Sequence, residues 1–249
     1  MNEIIEKPAR IAKVLARAGV ASRREVERMI ADGRISVDGI VLDTPAFLVT
    51  SDHQIAVDGN VVGDPEKTRL WLYHKPVDLL VSHGDPDGRP TVFDVLPDEM
   101  PRVISVGRLD LSSEGLLLLT NNGALAQFLE HPSTGWTRHY RVRGYGVPLE
   151  RKMKNIREGV TVEGVHYAPV AIEEEDGGRT NRWYTLALKE GKNREVRRLM
   201  EYAGVKVNRL LRTSYGPFQL GSLPVNTLKE VTADVLKQQL GVNAEKFGL

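Results

Sequence analysis

One acidic side chain, Asp110, lies between two apolar segments of the sequence SVGRLDLSSEGLLLLTNNG, residues 105–123. A strongly apolar strand is predicted to begin at Leu116, so this carboxylate must lie close to a packed core. A carboxylate in such a place either stabilises the fold or takes part in catalysis. The residue types alone favour the structural interpretation, in which Asp110 caps a turn and pairs with Arg108, because most ion pairs are structural.

A basic partner for this carboxylate is available in the segment GKNREVRRLM, residues 191–200. Asn193 is predicted to cap a helix there. The buried face of that helix has four apolar residues at helical spacing: Val196, Leu199, Met200 and Ala203. Arg197 falls at the edge of this face, whereas Arg194 and Arg198 point to the opposite side. An ion pair with Arg197 would keep the Asp110 carboxylate ionised.

Most other catalytic chemistry is not indicated by the sequence. The chain has no cysteine, which excludes disulfides, thiol catalysis and thiolate metal sites. The six histidines do not fall at helical metal-ligand spacing, and no metalloprotease, nucleophilic-serine or P-loop motif occurs. We therefore expect no metal and no cofactor, and an enzyme that uses acid and base side chains. A hydrolase with paired carboxylates, Asp110 and the nearby Glu114, is one alternative.

The composition is that of a globular protein with a nearly neutral net charge. The 249 residues are 41% hydrophobic and 27% charged, with a net charge of +1. No apolar run exceeds four residues, and the N-terminus lacks the apolar segment of a signal peptide, so we expect a cytoplasmic protein without a membrane span. Residues 10–34 contain seven Arg or Lys and three acidic residues, and residues 182–212 contain nine Arg or Lys and three acidic residues. These segments indicate two surfaces for a polyanion or two solvated helix faces.

The first part of the chain is predicted to form a small module that ends near Val62. Apolar residues at helical spacing predict a helix that ends at Gly19, and Ser22 with Glu25 forms a capping box for a second helix. Alternating residues around the turn at Asp38–Gly39 then predict a hairpin. The polar segment GDPEKT marks a linker, which we place at residues 63–69.

This module resembles the RNA-binding module named after the fourth protein of the small ribosomal subunit. The resemblance implies that residues 1–62 form a small α/β RNA-binding domain. Its basic side chains lie on the faces that the apolar stripes leave exposed, and these are the expected RNA contacts: Arg10, Lys13, Arg17, Arg23, Arg24 and Arg28.

From residue 70 onward, short apolar strands alternate with short helices. Turn signals at Asp87–Gly88, Asn122–Gly123, Glu163–Gly164 and Asp176–Gly177–Gly178 separate them. Dense strand–turn–strand spacing predicts an α+β domain with a mostly antiparallel mixed sheet, not a doubly wound nucleotide-binding fold. We expect this domain to span residues 70–240, with residues 241–249 as a tail.

The motifs of this second domain resemble those of bacterial ribosomal RNA pseudouridine synthases. The segment GRLDLSSEGLLLLTNNG follows HKP at 74–76 and precedes GKNREVRRLM, in the family's order, and the similarity extends from about residue 8 to residue 231. The N-terminal module and the segments RPTVFDVLP, HPS and NRLLRTSYG are similar to the branch that modifies large-subunit RNA. The resemblance implies the pseudouridine synthase fold. One departure is Asp78, which stands where the family usually has glycine, so we expect a differently shaped loop there.

The resemblance also implies a reaction in which uracil is detached from ribose at N1, rotated, and rejoined through C5 without a cofactor. It makes Asp110 the catalytic aspartate and Arg197 its ion-pair partner. Tyr140 would stack on the uracil and help to move the C5 proton.

Three further residues receive substrate-binding roles from the resemblance. Arg108 would fill the gap left by the flipped uridine, Leu199 would pack beneath the base, and Lys75 would support the cleft or contact phosphate. The expected partner is ribosomal RNA, in the first place 23S RNA, free or in an assembling large subunit, bound by a monomer. Small-subunit RNA as substrate and a non-catalytic ribosome-assembly factor are the alternatives.

Overall fold

The computed structural model describes residues 8–175, residue 178 and residues 180–249. Two predictions concern residues outside these ranges: the start of the N-terminal module, residues 1–7, and the turn at Asp176–Gly177. The described residues form short strands and six α-helices, which confirms the predicted α+β class. Among the helices of these ranges, none has the length and hydropathy needed to cross a membrane.

The N-terminal module consists of two short helices and six short strands. Its elements are β1 (Ala9–Arg10), α1 (Ile11–Arg17), α2 (Arg23–Ala31), β2 (Ile35–Val37), β3 (Ile40–Val41), β4 (Leu48–Val49), β5 (Ile55–Val57) and β6 (Asn60–Val61). Strands β3, β2, β5 and β6 form an antiparallel sheet in that order, and β1 pairs with β4. The Ser22 hydroxyl accepts a hydrogen bond from the backbone N–H of Glu25 at 3.1 Å, which confirms the predicted cap.

One face of each helix is buried in the module's own core. Four side chains on these faces are at most 1% exposed: Ile11, Leu15, Val26 and Ile30. They pack on Ile35 of β2. Burial of each such side chain contributes about 1.5–3 kcal/mol, so tertiary packing, more than helix propensity, holds these short helices.

The C-terminal end of the segment that joins the module to the second domain is fixed by hydrogen bonds to both domains. Arg17 of α1 donates to the carbonyl of Glu66 at 2.7 Å and to the hydroxyl of Thr68 at 3.3 Å. Thr68 is buried, donates to the carbonyl of Phe247 at 2.5 Å and accepts from the side-chain amide of Asn122 at 2.8 Å. The predicted linker therefore ends within packed structure.

The second domain is built around one nine-stranded sheet. The strands after the linker are β7 (Leu70–Lys75), β8 (Ile104–Val106), β9 (Glu114–Thr120), β10 (Arg138–Tyr145), β11 (Val160–Val162), β12 (Val165–Tyr167), β13 (Ala171–Glu175), β14 (Asn181–Leu188), β15 (Lys206–Tyr215), β16 (Phe218–Gln219) and β17 (Leu228–Val231). The sheet order is β13-β14-β10-β15-β9-β7-β17, with β8 on β9 and β16 on β15, while β11 and β12 form a separate hairpin. The β9–β15 pair is parallel and the other strand pairs of this sheet are antiparallel, as predicted.

Four helices pack on this sheet: α3 (Gly123–Glu130), α4 (Glu150–Glu158), α5 (Glu195–Tyr202) and α6 (Ala233–Leu240). Helices α3 and α6 share a core with Leu116 and Leu118 of β9, and α4 and α5 share another with β10 and β14. Leu117 and Leu119 belong to a third cluster. Strand β9 is therefore buried on both faces, which explains its continuous apolar sequence.

The last nine residues, predicted as a tail, are part of the folded domain. They form a 3₁₀-helical segment, Gly241–Phe247. Ala244 and Phe247 are 1% and 7% exposed and pack with α3, α6 and β9. The boundary predicted at residue 240 is corrected accordingly, because two buried apolar side chains anchor this segment.

Candidate active site

A cleft of about 260 Å³ lies beside the start of β9, and Asp110 is in its wall. The lining comes from the loop 107–113, the end of α3, strands β10 and β15, and the segment 188–196. The second basic segment, residues 182–212, supplies much of the positive charge through Lys192, Arg194 and Arg212. The cleft therefore combines the loop of Asp110 with a wall that carries both cations and carboxylates.

The loop 107–113 is tied to the rest of the domain on both sides of Asp110. The N–H of Gly107, at a φ of +67°, donates to Glu130 Oε1 at 2.6 Å. The N–H of Ser113 donates to the carbonyl of Asp110 at 3.0 Å. Lys75 Nζ donates to the carbonyls of Asp110 at 3.3 Å and Ser113 at 2.9 Å. These bonds fix the backbone and leave the Asp110 side chain 32% exposed in the cleft.

Lys75 is fully buried, at 0% exposure, and supports this loop. Its ammonium also donates to the carbonyls of Pro76 at 2.8 Å and Leu111 at 3.5 Å. Burial lowers the pKa of Lys75 to about 8, and nearby carboxylates, Asp110 first, oppose that shift. A buried ammonium enclosed by carbonyls does not reach an RNA phosphate. Of its two predicted roles, the structure supports the first, support of the cleft.

Asp78 occupies a turn that suits glycine. Its φ is +65°, in the left-handed region that L residues rarely adopt. Its N–H donates to the carbonyl of Leu111 at 2.9 Å, so the turn contacts the loop of Asp110. An aspartate in place of the usual glycine therefore adopts a backbone conformation that lowers the stability of the fold by up to about 1–2 kcal/mol.

The cation within ion-pair distance of Asp110 is Arg194, whose Nη1 lies 3.8 Å from Asp110 Oδ2. Arg197, the predicted partner, instead donates to the carbonyl of Ser112 at 2.9 Å and to that of Val207 at 3.3 Å. Burial lowers the pKa of Arg197, Arg194 adds to this effect, and Asp110 opposes it. The predicted direct contact between Asp110 and Arg197 is replaced by one with Arg194, while Arg197 holds the backbone of the same loop.

The difference between the predicted and the observed partner of Asp110 arises at the start of α5. The predicted cap, Asn193, is wrong: the helix begins at Glu195, and Arg194 occupies the cap position with a φ of +51°. A carboxylate oxygen of Glu195 accepts from the N–H of Lys192 at 2.8 Å. Because Arg194 is in a left-handed conformation, the helical spacing of 100° per residue does not give the direction of its side chain.

Tyr140 and Arg108 both line the cleft that contains Asp110. Tyr140 lies in β10 beside a β-bulge, and its ring packs against the two neighbouring hydrophobic clusters. Arg108 is exposed, and its side chain forms no hydrogen bond or ion pair with the residues that the structure describes. Its guanidinium is therefore free to enter a bound nucleic acid.

Leu199 is placed differently from its predicted role beneath the base. It is 0% exposed, inside the core formed by α4, α5, β10 and β14. Val196 and Leu210, which neighbour it in the same cluster, contribute apolar side chains to the cleft wall instead. Leu199 supports this wall from within the core, since it belongs to the same cluster as both residues.

The paired-carboxylate alternative finds no support in the positions of the acids. Glu114 forms an ion pair with Arg209 and does not line the cleft. Three other acids do line it, Glu130, Glu190 and Glu195, but each accepts a hydrogen bond from a backbone N–H. Within the described ranges, no group of three or more His, Asp or Glu side chains could hold a metal ion.

Two buried arginines of the cleft were not predicted, Arg138 and Arg212, which are 8% and 3% exposed. Arg138 donates to the hydroxyl of Tyr215 at 2.7 Å, and Arg212 to the carbonyl of Leu116 at 2.7 Å. Nη2 of Arg212 is buried and has no partner among the described atoms. The available signal was an arginine at the start of the strand sequence RHYRV and another within the strand sequence RLLRTSY.

The six basic residues predicted to bind RNA fall into three groups. Four are exposed: Arg10, Lys13, Arg23 and Arg24. Arg28 is also exposed but forms an ion pair with Glu25. Arg17 is half-buried, and burial lowers its pKa against the opposing effect of Glu66. Its bonds to the linker give Arg17 a structural role, which its helical position did not indicate.

A family model described as RNA pseudouridylate synthase matches residues 69–202, more than half of the chain. The chain belongs to the RNA pseudouridylate synthase family. An S4 domain model matches residues 9–55, in agreement with the predicted N-terminal module. Family membership makes the protein an isomerase, and confirms the resemblance inferred from the GRLD motif.

Individual relatives of this pseudouridine synthase cover nearly all of it. An uncharacterized RNA pseudouridine synthase of Rickettsia prowazekii is 44% identical over 231 residues, 93% of this chain and 97% of the relative. The ribosomal large subunit pseudouridine synthase B of Salmonella typhi is 44% identical over 217 residues, 85% of this chain and 75% of the relative. A crystal structure of a pseudouridylate synthase superposes with a TM-score of 0.64 at 21% identity, over 92% of this chain and 99% of that one. The last comparison confirms the pseudouridine synthase fold.

Proposed function

We propose that this pseudouridine synthase isomerises a specific uridine of ribosomal RNA, and that its substrate is the 23S RNA of the large subunit. The observation that carries the proposal is the Asp110 carboxylate, which lies 3.8 Å from Arg194 in the cleft that Tyr140 also lines. The choice of 23S RNA is supported by 44% identity with a protein named for the large ribosomal subunit. Small-subunit RNA is the second candidate.

Asp110 is the catalytic group in this proposal. Its carboxylate attacks the sugar or the base, or removes a sugar proton, and the isomerisation is balanced in each route. The C1′–N1 bond breaks, the uracil rotates, and a C1′–C5 bond forms. The C5 proton is lost and N1 gains one, so the net reaction needs neither an oxidant nor a co-substrate.

Three neighbouring residues assist Asp110. Tyr140 stacks on the uracil, and its hydroxyl helps to remove the C5 proton. Arg194 stabilises the ionised carboxylate from 3.8 Å. Arg197 orients the loop through its hydrogen bond to the carbonyl of Ser112, so both arginines act on the same nucleophile.

The target uridine must leave its stack to reach Asp110. Base flipping costs a few kcal/mol, and least for an unpaired base, so a loop uridine is the expected target. Arg108, exposed at the cleft and without a partner among the described residues, fills the vacated position. Val196 and Leu210, backed by Leu199, form the apolar surface under the uracil.

The N-terminal module contributes RNA affinity in this proposal. Residues 1–62 form the binding module, 63–69 the linker and 70–249 the catalytic domain. The exposed basic side chains of α1 and α2 contact phosphates, which adds salt-dependent affinity without sequence selection. We propose that the protein works as a monomer in the cytoplasm, where ribosomal RNA is assembled into subunits.

The central test is Asp110→Asn. The amide keeps the volume of the carboxylate but cannot act as nucleophile or base, so tritium release from C5-labelled uridine in ribosomal RNA should be abolished, with RNA affinity within a few-fold of wild type. Asp98→Asn, at an exposed acid outside the cleft, is the matched control and should be fully active. Near-normal release by Asp110→Asn would refute the assignment.

The substrate is tested by mapping pseudouridines in ribosomal RNA from cells with and without this protein. Loss of one site in 23S RNA is the expected result. Loss of a site in 16S RNA would shift the assignment to the small subunit. An unchanged map would favour a non-catalytic role in ribosome assembly.

A further inference from the structure

A cluster of charged side chains at the start of α5 lies in the same cleft wall as Arg194. It consists of Glu190, Lys192 and Glu195. Lys192 Nζ donates to Glu190 Oε2 and to the carbonyl of His166, both at 2.6 Å. Glu190 Oε1 accepts from the N–H of Ala168 at 2.8 Å. The turn 190–195 is therefore attached to the end of the β11–β12 hairpin.

Glu195 is the most enclosed member of this cluster, at 4% exposure. Its Oε2 accepts from the N–H of Lys192 at 2.8 Å. Its Oε1 is buried and has no hydrogen-bond donor among the described residues. Glu190 and Glu195 both accept from Lys192, Glu190 from Nζ and Glu195 from the backbone N–H, so the two carboxyl groups lie next to each other. Two neighbouring carboxylates repel when both are ionised, whereas one shared proton gives the orphaned oxygen of Glu195 a hydrogen bond.

The environment determines which of the two acids keeps that proton. Burial, together with Glu190, raises the pKa of Glu195 to about 7. Burial acts in the same sense on Glu190, but hydrogen bonds from Lys192 and the N–H of Ala168 outweigh it and lower the pKa of Glu190. The proton therefore stays on Glu195.

The same turn determines where Arg194 points. Arg194 immediately precedes Glu195 and has a φ of +51°. Its carbonyl accepts from the N–H of Arg198 at 3.0 Å, and the Glu195–Lys192 bond closes the turn on the other side. The Arg194 side chain is 50% exposed, so its direction depends on its backbone more than on packing.

We propose that Glu190 and Glu195 share one proton and act as positioning residues, holding the 190–195 turn in the shape that brings Arg194 to Asp110. The proposal deepens the proposed function and depends on the catalytic role of Asp110. When the shared proton is lost, the two carboxylates repel across Lys192 and the turn opens. Asp110 then loses its cation, and kcat falls.

Other charged and titratable groups surround this cluster from each neighbouring element. They are Asp110 in the catalytic loop, Glu130 at the end of α3, Arg138 and Tyr140 on β10, Tyr167 on β12 and Arg212 on β15. The cations disfavour a proton on the pair, whereas burial and the second carboxylate favour it. Because arginine stays charged over pH 5–8, the titration of the pair is measured against a constant positive field.

The first test compares the pH dependence of kcat in wild type, Glu195→Gln and the control Glu99→Gln, an exposed acid outside the cleft. Glutamine keeps the acceptor for Lys192 and a neutral donor for Glu190 at every pH. The ratio of kcat at pH 8 to kcat at pH 6 should be at least threefold higher in Glu195→Gln than in the other two proteins. Glu195→Ala, which removes both bonds, should lower kcat tenfold or more, with KM within threefold. Superimposable profiles for Glu195→Gln and wild type would overturn the proposal.

The second test measures stability and does not depend on activity. An acid whose pKa is raised in the folded state binds a proton that the unfolded chain has released, so wild type should lose stability as pH rises from 4.5 to about 7. The Tm difference between wild type and Glu195→Gln should therefore shift by about 3 °C or more over this interval, in favour of the variant. A constant difference would overturn the shared proton. A wild-type protein inactive on ribosomal RNA would overturn the proposed function and the positioning role, while this titration would still decide whether the proton is shared.

Discussion

Replacement of Gly115 by alanine should destabilise the catalytic domain, because β9 and β15 leave no room for a side chain there. Gly115 has a φ of +106°, and a Cβ at this position would lie 2.3 Å from the carbonyl oxygen and 2.7 Å from the nitrogen of Arg212. The two residues are paired in the parallel β9–β15 ladder. The clashing atoms are backbone, so they cannot move aside as a flexible side chain would.

Two costs add up in Gly115→Ala. A left-handed or related φ costs an L residue about 1–2 kcal/mol. Overpacking of a filled site costs about 1–3 kcal/mol more. We therefore expect a loss of about 2–5 kcal/mol in the free energy of unfolding, or a fall in Tm of about 4–20 °C at 2–4 °C per kcal/mol. Because β9 follows the loop of Asp110 directly, kcat should fall as well.

The assay is thermal and urea denaturation, with tritium release as the activity measurement. Gly221→Ala is the matched control, since Gly221 has a φ of +55° but no atom lies within 4 Å of the place that an added Cβ would take. This control should lose only the conformational contribution of about 1–2 kcal/mol. Equal losses of stability in the two variants would refute the argument that close approach of β9 and β15 requires glycine.

Four other substitutions test individual contacts. Lys75→Met should lower the free energy of unfolding by about 2–4 kcal/mol and kcat at least tenfold, because buried carbonyls of the loop of Asp110 lose their donor. A variant as stable as wild type would contradict this. Asp78→Gly should change stability by less than about 1 kcal/mol, since relief of the left-handed strain is offset by the entropy of glycine; a larger loss would reveal an unrecognised contact of the carboxylate. Arg23→Ala should reduce the slope of the logarithm of the RNA-binding constant against the logarithm of the salt concentration by roughly 0.7–0.9. Arg17→Ala should instead lower stability and leave this slope unchanged. Equal slopes in both variants would exclude Arg23 as a phosphate contact.

The parts of the fold that follow local rules could be predicted from the sequence. The module's helices, the Ser22 cap and the turn at Asp38–Gly39 depend on spacing and on residues within four positions of each other. Strand β9 was recognisable because burial on both faces leaves a continuous apolar run. The tail was mispredicted because its few apolar residues give no clear periodicity, although Ala244 and Phe247 are buried.

The partner of Asp110 could not be predicted because it depends on one backbone conformation. Helical spacing placed Arg197 at the edge of the buried face, which is correct for its contact with the loop of Asp110. The same spacing assigned Arg194 to the outer face, but Arg194 precedes the helix in a left-handed turn and reaches the carboxylate. That turn is closed by a bond between the Glu195 side chain and a backbone N–H three residues earlier.

Lys75 and Arg17 show the same limit for single charged residues. Both were predicted as contacts to RNA, Lys75 as one of two alternatives, and both instead donate to backbone carbonyls of the protein. A lysine or arginine in a sequence carries charge and several donors, and either can be used inside the fold when carbonyls at a loop or linker need partners. In this protein, basic residues near the cleft of Asp110 therefore divide into two groups. Lys75 and Arg197 hold the loop of Asp110, whereas Arg108 has no partner among the described residues and is a proposed substrate contact. The substitutions above separate the two groups, because loss of a loop-holding residue lowers both stability and kcat, whereas loss of a substrate contact lowers kcat or affinity alone.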